Sequence, residues 1–266
     1  MAQAKAMITI LLHSSKTMKH RVASQPLRRP QLQEEAARLA AYIRTLSSDD
    51  LKKKMHVSPS LAKKTQATMK EWDTDPAHQS LAIDSFVGDI YSGLRASELS
   101  KEDRDYADQT LCILSGLYGV IRPYDGISPY RLEMAYKFDK PPFNNLYTFW
   151  GDKIAKCLPE DDPIVNVSSV EYTKAVLPFV DSFRVITPKF LTVDPRTKEP
   201  AFVVVHAKIA RGAFARWLIT SKITDPARFS EFNDIGYMYD KSLSTPTEPT
   251  FVCQTFGGIG LSMRLS

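Results

Sequence analysis

Cysteine is scarce in this sequence: Cys112, Cys157 and Cys253 are the only three in 266 residues, and they lie far apart. An odd set with no C-x-x-C pair argues against a disulfide framework and points to inert thiols in a reducing compartment. Histidine is as dispersed. None of His13, His20, His56, His78 and His206 stands four residues from another, and none joins cysteines at zinc-finger spacing. Spacing therefore predicts no metal site, and no cofactor is expected. Long apolar runs are missing as well. Residues 7–12 are apolar but too few for the hydrophobic region of a secretion signal, and basic residues follow at once. No run approaches about 18 apolar residues, so no membrane span is expected.

Acidic residues are absent from two windows. From residue 14 to residue 29 the charged side chains are Lys16, Lys19, Arg21, Arg28 and Arg29. From residue 51 to residue 70 they are Lys52, Lys53, Lys54, Lys63, Lys64 and Lys70. Over the whole chain 35 Lys and Arg face 30 Asp and Glu, a net charge of +5. So small an excess does not by itself predict a polyanion partner, but local clustering does.

What is present is ordinary globular composition, 43% hydrophobic and 24% charged. A chain of this length buries roughly 70% of its unfolded surface without a metal or disulfide staple. Residues 7–12 read as a buried strand, with 13–17 leaving its carboxyl end, a usual place for ligand contacts in α/β sheets. Residues 31–46 read as a helix. A short helix over 50–55, a break at 56–60 and a helix over 61–72 follow, with Ser47 to Asp50 supplying cap chemistry. Ser100 caps a further helix, with Asp103 at its third position. Residues 111–121 read as buried strand and turn, 147–158 as helix, 163–167 as strand and 171–177 as a short helix. Residues 182–190 and 201–206 read as paired strands around the turn at 194–197, and 207–220 as an amphipathic helix. Residues 237–239 and 250–255 are candidate terminal strands. The segment Gly257-Gly258-Ile259-Gly260 has no strand–helix context and reads as a tail over 257–266, not as a phosphate loop. Strands and helices alternate throughout, no repeat or clean linker is visible, and the expected fold is a single α/β (mixed α+β) domain over residues 1–256 with a central mixed sheet flanked by helices.

Several blocks carry a resemblance. Phe86-Val87-Gly88-Asp89-Ile90-Tyr91-Ser92-Gly93-Leu94, Leu114-Ser115-Gly116-Leu117-Tyr118-Gly119-Val120-Ile121-Arg122-Pro123, Pro129-Tyr130-Arg131-Leu132-Glu133-Met134 and Phe149-Trp150-Gly151-Asp152 follow one another, and then Glu171-Tyr172 with Lys174, and Lys208 with Ala210-Arg211-Gly212. In this order, over nearly the whole chain, they resemble the YaaA family of peroxide stress proteins. The resemblance implies a one-domain mixed α/β fold, a cytoplasmic protein tied to peroxide stress and to limiting free iron, and DNA binding through a helix-hairpin-helix-like element, here about residues 48–72, and a positively charged cleft. Two departures stand out. The family's opening loop usually reads S-P-A-K-T, whereas here Ser14-Ser15-Lys16-Thr17 follows His13. The connector 56–60 also lacks the glycine usual in such a hairpin, although its Ser-Pro-Ser still offers hydroxyls and a helix N-terminus to a phosphate.

Two functions remain open. In the first, the protein binds duplex or junction DNA with little regard to sequence, as a monomer. Lys52, Lys53, Lys54, Lys63 and Lys64 then track the phosphate backbone, together with Lys16, Arg122, Arg131, Lys174, Lys208, Arg211 and Arg216. In the second, a small anionic or nucleotide-like substrate sits in a charged cleft. Lys16, Asp89, Arg131 and Glu133 are the candidate catalytic groups, and Tyr118, Tyr130, Asp152 and Glu171 line the pocket. The same charged residues, beside glycine and proline turns, would equally serve as ion pairs bracing the fold. The sequence names no reaction.

Overall fold

The structure, a computed structural model, describes residues 7–21, 23 and 26–262. Its strands are β1 (Thr9–His13), β2 (Thr17–Met18), β3 (Ser80–Leu81), β4 (Phe86–Val87), β5 (Leu111–Ser115), β6 (Gly119–Ile121), β7 (Gly126–Ile127), β8 (Ile164–Asn166), β9 (Val185–Ile186), β10 (Lys189–Val193), β11 (Pro200–Ala201), β12 (Tyr237–Tyr239) and β13 (Thr250–Cys253). Its α-helices are α1 (Gln33–Arg44), α2 (Ser48–Met55), α3 (Pro59–Glu71), α4 (Ala82–Ser85), α5 (Asp89–Leu94), α6 (Lys101–Thr110), α7 (Leu146–Trp150), α8 (Val170–Thr173) and α9 (Val204–Thr220). The mixed α/β class expected from the sequence is what the chain adopts. Among the described residues no helix is long and apolar enough to cross a membrane.

The central sheet runs β6-β5-β1-β8-β9, with β5, β1, β8 and β9 parallel and β6 returning antiparallel beside β5. Strand β1 is apolar at Ile10, Leu11 and Leu12 because it lies in the middle, buried on both faces. From β1 the chain proceeds to β5 on one side. It later inserts β8 on the other side and moves outward to β9, so the segments leaving β1 and β8 diverge at their carboxyl ends. Such a switch point opens a crevice in a parallel sheet.

A smaller sheet, β11-β10-β13-β12, carries the rear of the molecule. Phe190, Phe251 and Tyr237 from this sheet meet Phe214 of α9 and Phe232 in one aromatic cluster. Burying each such ring contributes about 1.5–3 kcal/mol. Helix α9 is bound to α5 as closely as two helices can be. A Cβ on Gly93 would stand 2.0 Å from the Ile209 carbonyl oxygen, and one on Gly212 would stand 1.8 Å from that of Ile90. Only hydrogen at both positions lets the backbones touch.

Helices α2 and α3 form a tight hairpin. Ser47 and Asp50 make a reciprocal capping box at the start of α2. His56 then turns the chain in the left-handed region at φ 51°, the conformation a hairpin glycine would supply. Ser58 caps α3 by accepting from the Leu61 N–H, and Pro59 fills the first helical position. Leu51 and Met55 of α2, with Ala62 and Met69 of α3, turn inward.

Three expectations need correction. The helix expected over 147–158 is broken. α7 stops at Trp150 because Gly151 adopts φ 51°, ψ −130°, and a short 3-10 turn, Ala155–Cys157, follows. The strand expected over 182–190 is divided between a 3-10 turn, β9 and the start of β10. The strand expected over 201–206 ends at Ala201, and the β-branched Val204 and Val205 open α9 instead. Residues 257–262 run beside α5 and α9, with Gly258 and Gly260 close to Ile209. The remainder of the expected tail, 263–266, and residues 1–6 of the expected domain lie outside the described residues.

Candidate functional site

At the carboxyl end of β1 the diverging segments leave a cleft of about 380 Å³, within the size range of small-molecule sites. Its walls come from His13 to Thr17, the β4–α5 junction at Gly88 and Asp89, Glu133, the stretch Ser169 to Tyr172, Lys208 of α9 and Leu261. Residues far apart in sequence meet there: His13 to Thr17 follow β1, Gly88 and Asp89 join β4 to α5, Ser169 precedes α8, and Lys208 lies one turn into α9. Glu133 is delivered by the segment after β7. Gly116 lets that backbone lie against the end of β5, since a Cβ on it would come within 2.5 Å of the Leu132 carbonyl oxygen.

Of the expected site residues, Lys16, Asp89, Glu133, Glu171 and Lys208 all line this cleft. Lys16 Nζ stands 3.2 Å from Glu133 Oε2, with the Lys16 side chain 62% exposed and that of Glu133 12%. Arg131 braces the opening loop by donating from Nη1 to the Lys16 carbonyl oxygen (3.1 Å), while its Nε is buried with no protein partner. Glu171 accepts from the Ala135 N–H (3.0 Å). Asp89 accepts both the N–H (3.0 Å) and the hydroxyl (2.7 Å) of Ser262. Ser15 Oγ donates to the Val87 carbonyl, so it is turned toward β4.

His13 is the best-fixed polar group of the cleft. Its Nδ1 accepts from the Ser169 N–H at 3.1 Å and lies 3.2 Å from Ser168 Oγ. Its ring stacks on Tyr172 at 5.0 Å, and its carbonyl accepts from Tyr91 Oη at 2.8 Å. Burial, and then the nearby charges of Arg211 and Lys208, push its pKa down to about 3, so the imidazole is neutral at physiological pH. Burial also lowers the pKa of Arg211.

Other expected residues stand elsewhere. Tyr118, expected to line a pocket, is fully buried and accepts from Trp72 Nε1 (2.9 Å) and the Ser128 N–H (3.0 Å). Tyr130 is buried against Ser115 Oγ at 2.6 Å, beneath the cleft, and burial raises its pKa to about 12. Asp152 pairs with Lys156 at 2.7 Å on a separate groove. Arg122 binds the Asp108 and Gln109 carbonyls at the end of α6, and Arg216 does the same for Leu94 and Arg95 at the end of α5. In both cases the guanidinium answers the unpaired carbonyls of a helix C-terminus, a bracing task. Lys174 is exposed. On the hairpin, Lys54 pairs with Asp139, whereas Lys52, Lys53, Lys63 and Lys64 are exposed.

Sequence reasoning left out His13, Ser168, Ser169 and Tyr172 as site residues. Position after a strand was the available signal for His13. The Ser169 amide carries no side-chain signature, and only its contact across 156 positions reveals it.

Taken together, fold and cleft define an α/β protein with a charged crevice at a sheet switch point. The family described as peroxide stress protein YaaA matches residues 8–243. A UPF0246 protein of Salinispora tropica is 54% identical over 258 residues, covering 96% of this chain and 97% of that one. UPF0246 proteins of Roseobacter denitrificans and Ruegeria pomeroyi are 40% and 41% identical, covering 85% and 84% of this chain and 91% and 90% of theirs. The chain belongs to the peroxide stress protein YaaA family.

Proposed function

We propose that the protein serves the peroxide stress response by binding DNA through the α2–α3 hairpin and so limits damage linked to free iron. The observation that carries this reading is the hairpin itself. Two helices joined by the turn 56–58 present Lys52, Lys53, Lys63 and Lys64 to solvent with no ion pair among the described residues. Unneutralised lysines on one short unit are what releases counterions from a phosphate backbone. The hydroxyls of Ser58 and Ser60, 3.1 Å apart at the start of α3, add donors where a helix N-terminus favours an anion. A thiol-based response is disfavoured. Burial pushes the Cys112 thiol up to about 11 and raises Cys157 and Cys253 too, away from the reactive thiolate. Fluorescence anisotropy with duplex and junction DNA over a salt series tests the reading. Steeply salt-dependent binding is expected, and no binding at low salt sinks it.

A second reading is favoured by the cleft: it takes a small anionic or nucleotide-like ligand as substrate. Its support is the position at the switch point and the gathering there of Lys16, Glu133, Asp89, Glu171 and Lys208. A thermal-shift screen of nucleotides and sugar phosphates, with Arg131→Ala as the control that loosens the Lys16 loop, separates it from the first. Stabilisation by one compound, lost in that variant while DNA affinity stays, is the expected pattern.

A further inference from the structure

Helix α9 carries Lys208 and Arg211 three positions apart, neighbours on one side of the helix. Lys208 lines the cleft, and both charges act on His13. Neither cation forms an ion pair among the described residues. The carboxylates that share the cleft are engaged elsewhere: Glu133 by Lys16, Glu171 by the Ala135 N–H and Asp89 by Ser262. A half-buried guanidinium without a counter-ion is costly to hold, and here it stands next to a second free cation.

His13, which lines the cleft with Lys208, adds a hydrogen-bond donor without adding charge. A backbone N–H can only donate, so Ser169 makes His13 Nδ1 an acceptor and places the ring proton on Nε2. That Nε2–H has no protein acceptor among the described residues. Stacking on Tyr172 and the Tyr91 bond to its carbonyl hold the ring in one orientation.

We propose that this inner end of the cleft is a pocket for one oxyanionic head group of a small organic ligand, held by Lys208, Arg211 and the Nε2–H of His13. The assignment rests on the second reading of the cleft and names its ligand chemistry. Two cations beside a neutral donor match the charge of a phosphate monoester, about −1.5 to −2 at neutral pH, more closely than that of a carboxylate.

The test is a long-range 1H–15N spectrum of the histidine side chains in the full protein, titrated with inorganic phosphate in one arm and acetate in the other. His13 is expected as the Nε2–H tautomer from pH 5 to pH 8, and phosphate is expected to shift its Nε2 signal saturably, with acetate weaker. Lys208→Gln and Arg211→Gln are each expected to weaken phosphate binding by about tenfold, the scale of a lost charge-assisted hydrogen bond. Should Arg211→Gln fail to fold, the exposed Lys208 carries the test. The inference is overturned by an Nδ1–H tautomer, or by phosphate binding that both substitutions leave intact. A ligand that perturbs Lys16 and Glu133 but not His13 overturns it while leaving the second reading standing. If neither anion nor any nucleotide perturbs the cleft, both fall.

Discussion

In the α2–α3 hairpin Lys52, Lys53, Lys63 and Lys64 stand in solvent and make no ion pair among the described residues, whereas around the opening loop of the cleft the charges are held in place: Lys16 by Glu133, Arg131 by a carbonyl, Asp89 by Ser262. Solvated cations act by number and at long range, and salt screens them. Held groups act by position, and a shift of an ångström undoes them. The hairpin is therefore suited to a long, repetitive polyanion and the cleft to one small molecule.

The contrast is sharpest in packing. Gly212→Val would drive a Cβ into the Ile90 carbonyl oxygen, 1.8 Å away, and part α5 from α9. A stability loss of about 3 kcal/mol or more is expected, seen as a fall in Tm of roughly 6–12 °C. An unchanged Tm would show that the two backbones do not touch. By comparison, replacing Lys52, Lys53, Lys63 and Lys64 together with glutamate reverses charge only at solvated positions. DNA affinity at 0.1 M salt is expected to fall by about a hundredfold or more, with Tm nearly unmoved. Equal loss of both would erase the distinction between the regions.

Acid gives a third comparison. In the unfolded chain His13 takes up a proton near pH 6.5, but in the fold it resists protonation until about pH 3. The unfolded state thus binds more protons between those values, and stability present above pH 6.5 is lost as pH falls through that window. A slope of about 1.4 kcal/mol per pH unit is expected in urea unfolding in the middle of that window, where the unfolded chain alone binds one more proton. His13→Gln should flatten it, whereas an equal slope in the variant would assign the effect to other groups. The smallest effect belongs to Lys16→Gln. This pair is open on the lysine side, so less than about 1 kcal/mol of stability is at stake, while ligand binding in the cleft, read by titration, should suffer more than stability does.

The hairpin was legible in the sequence because its determinants are local. Ser47 with Asp50, Ser58 with Pro59 and the lysine windows all lie within a few residues of the features they set. The cleft was half legible. Lys16, Asp89, Glu133 and Lys208 could be named from family blocks, but their meeting depends on strand order, which no spacing encodes. Local preference misled at 203–206, where β-branched residues suggested a strand. There the run from Ala207 to Ile219, buried against α5 and the aromatic cluster, decides the conformation. Gly151 was visible, yet only its left-handed backbone shows that it ends a helix.

Because a ribosome delivers the chain from residue 1 onward, the two regions mature at different times. The hairpin is complete once about the first quarter of the chain has emerged. Asp89 must wait for Ser262, so the pocket beside it is among the last parts of the molecule to close.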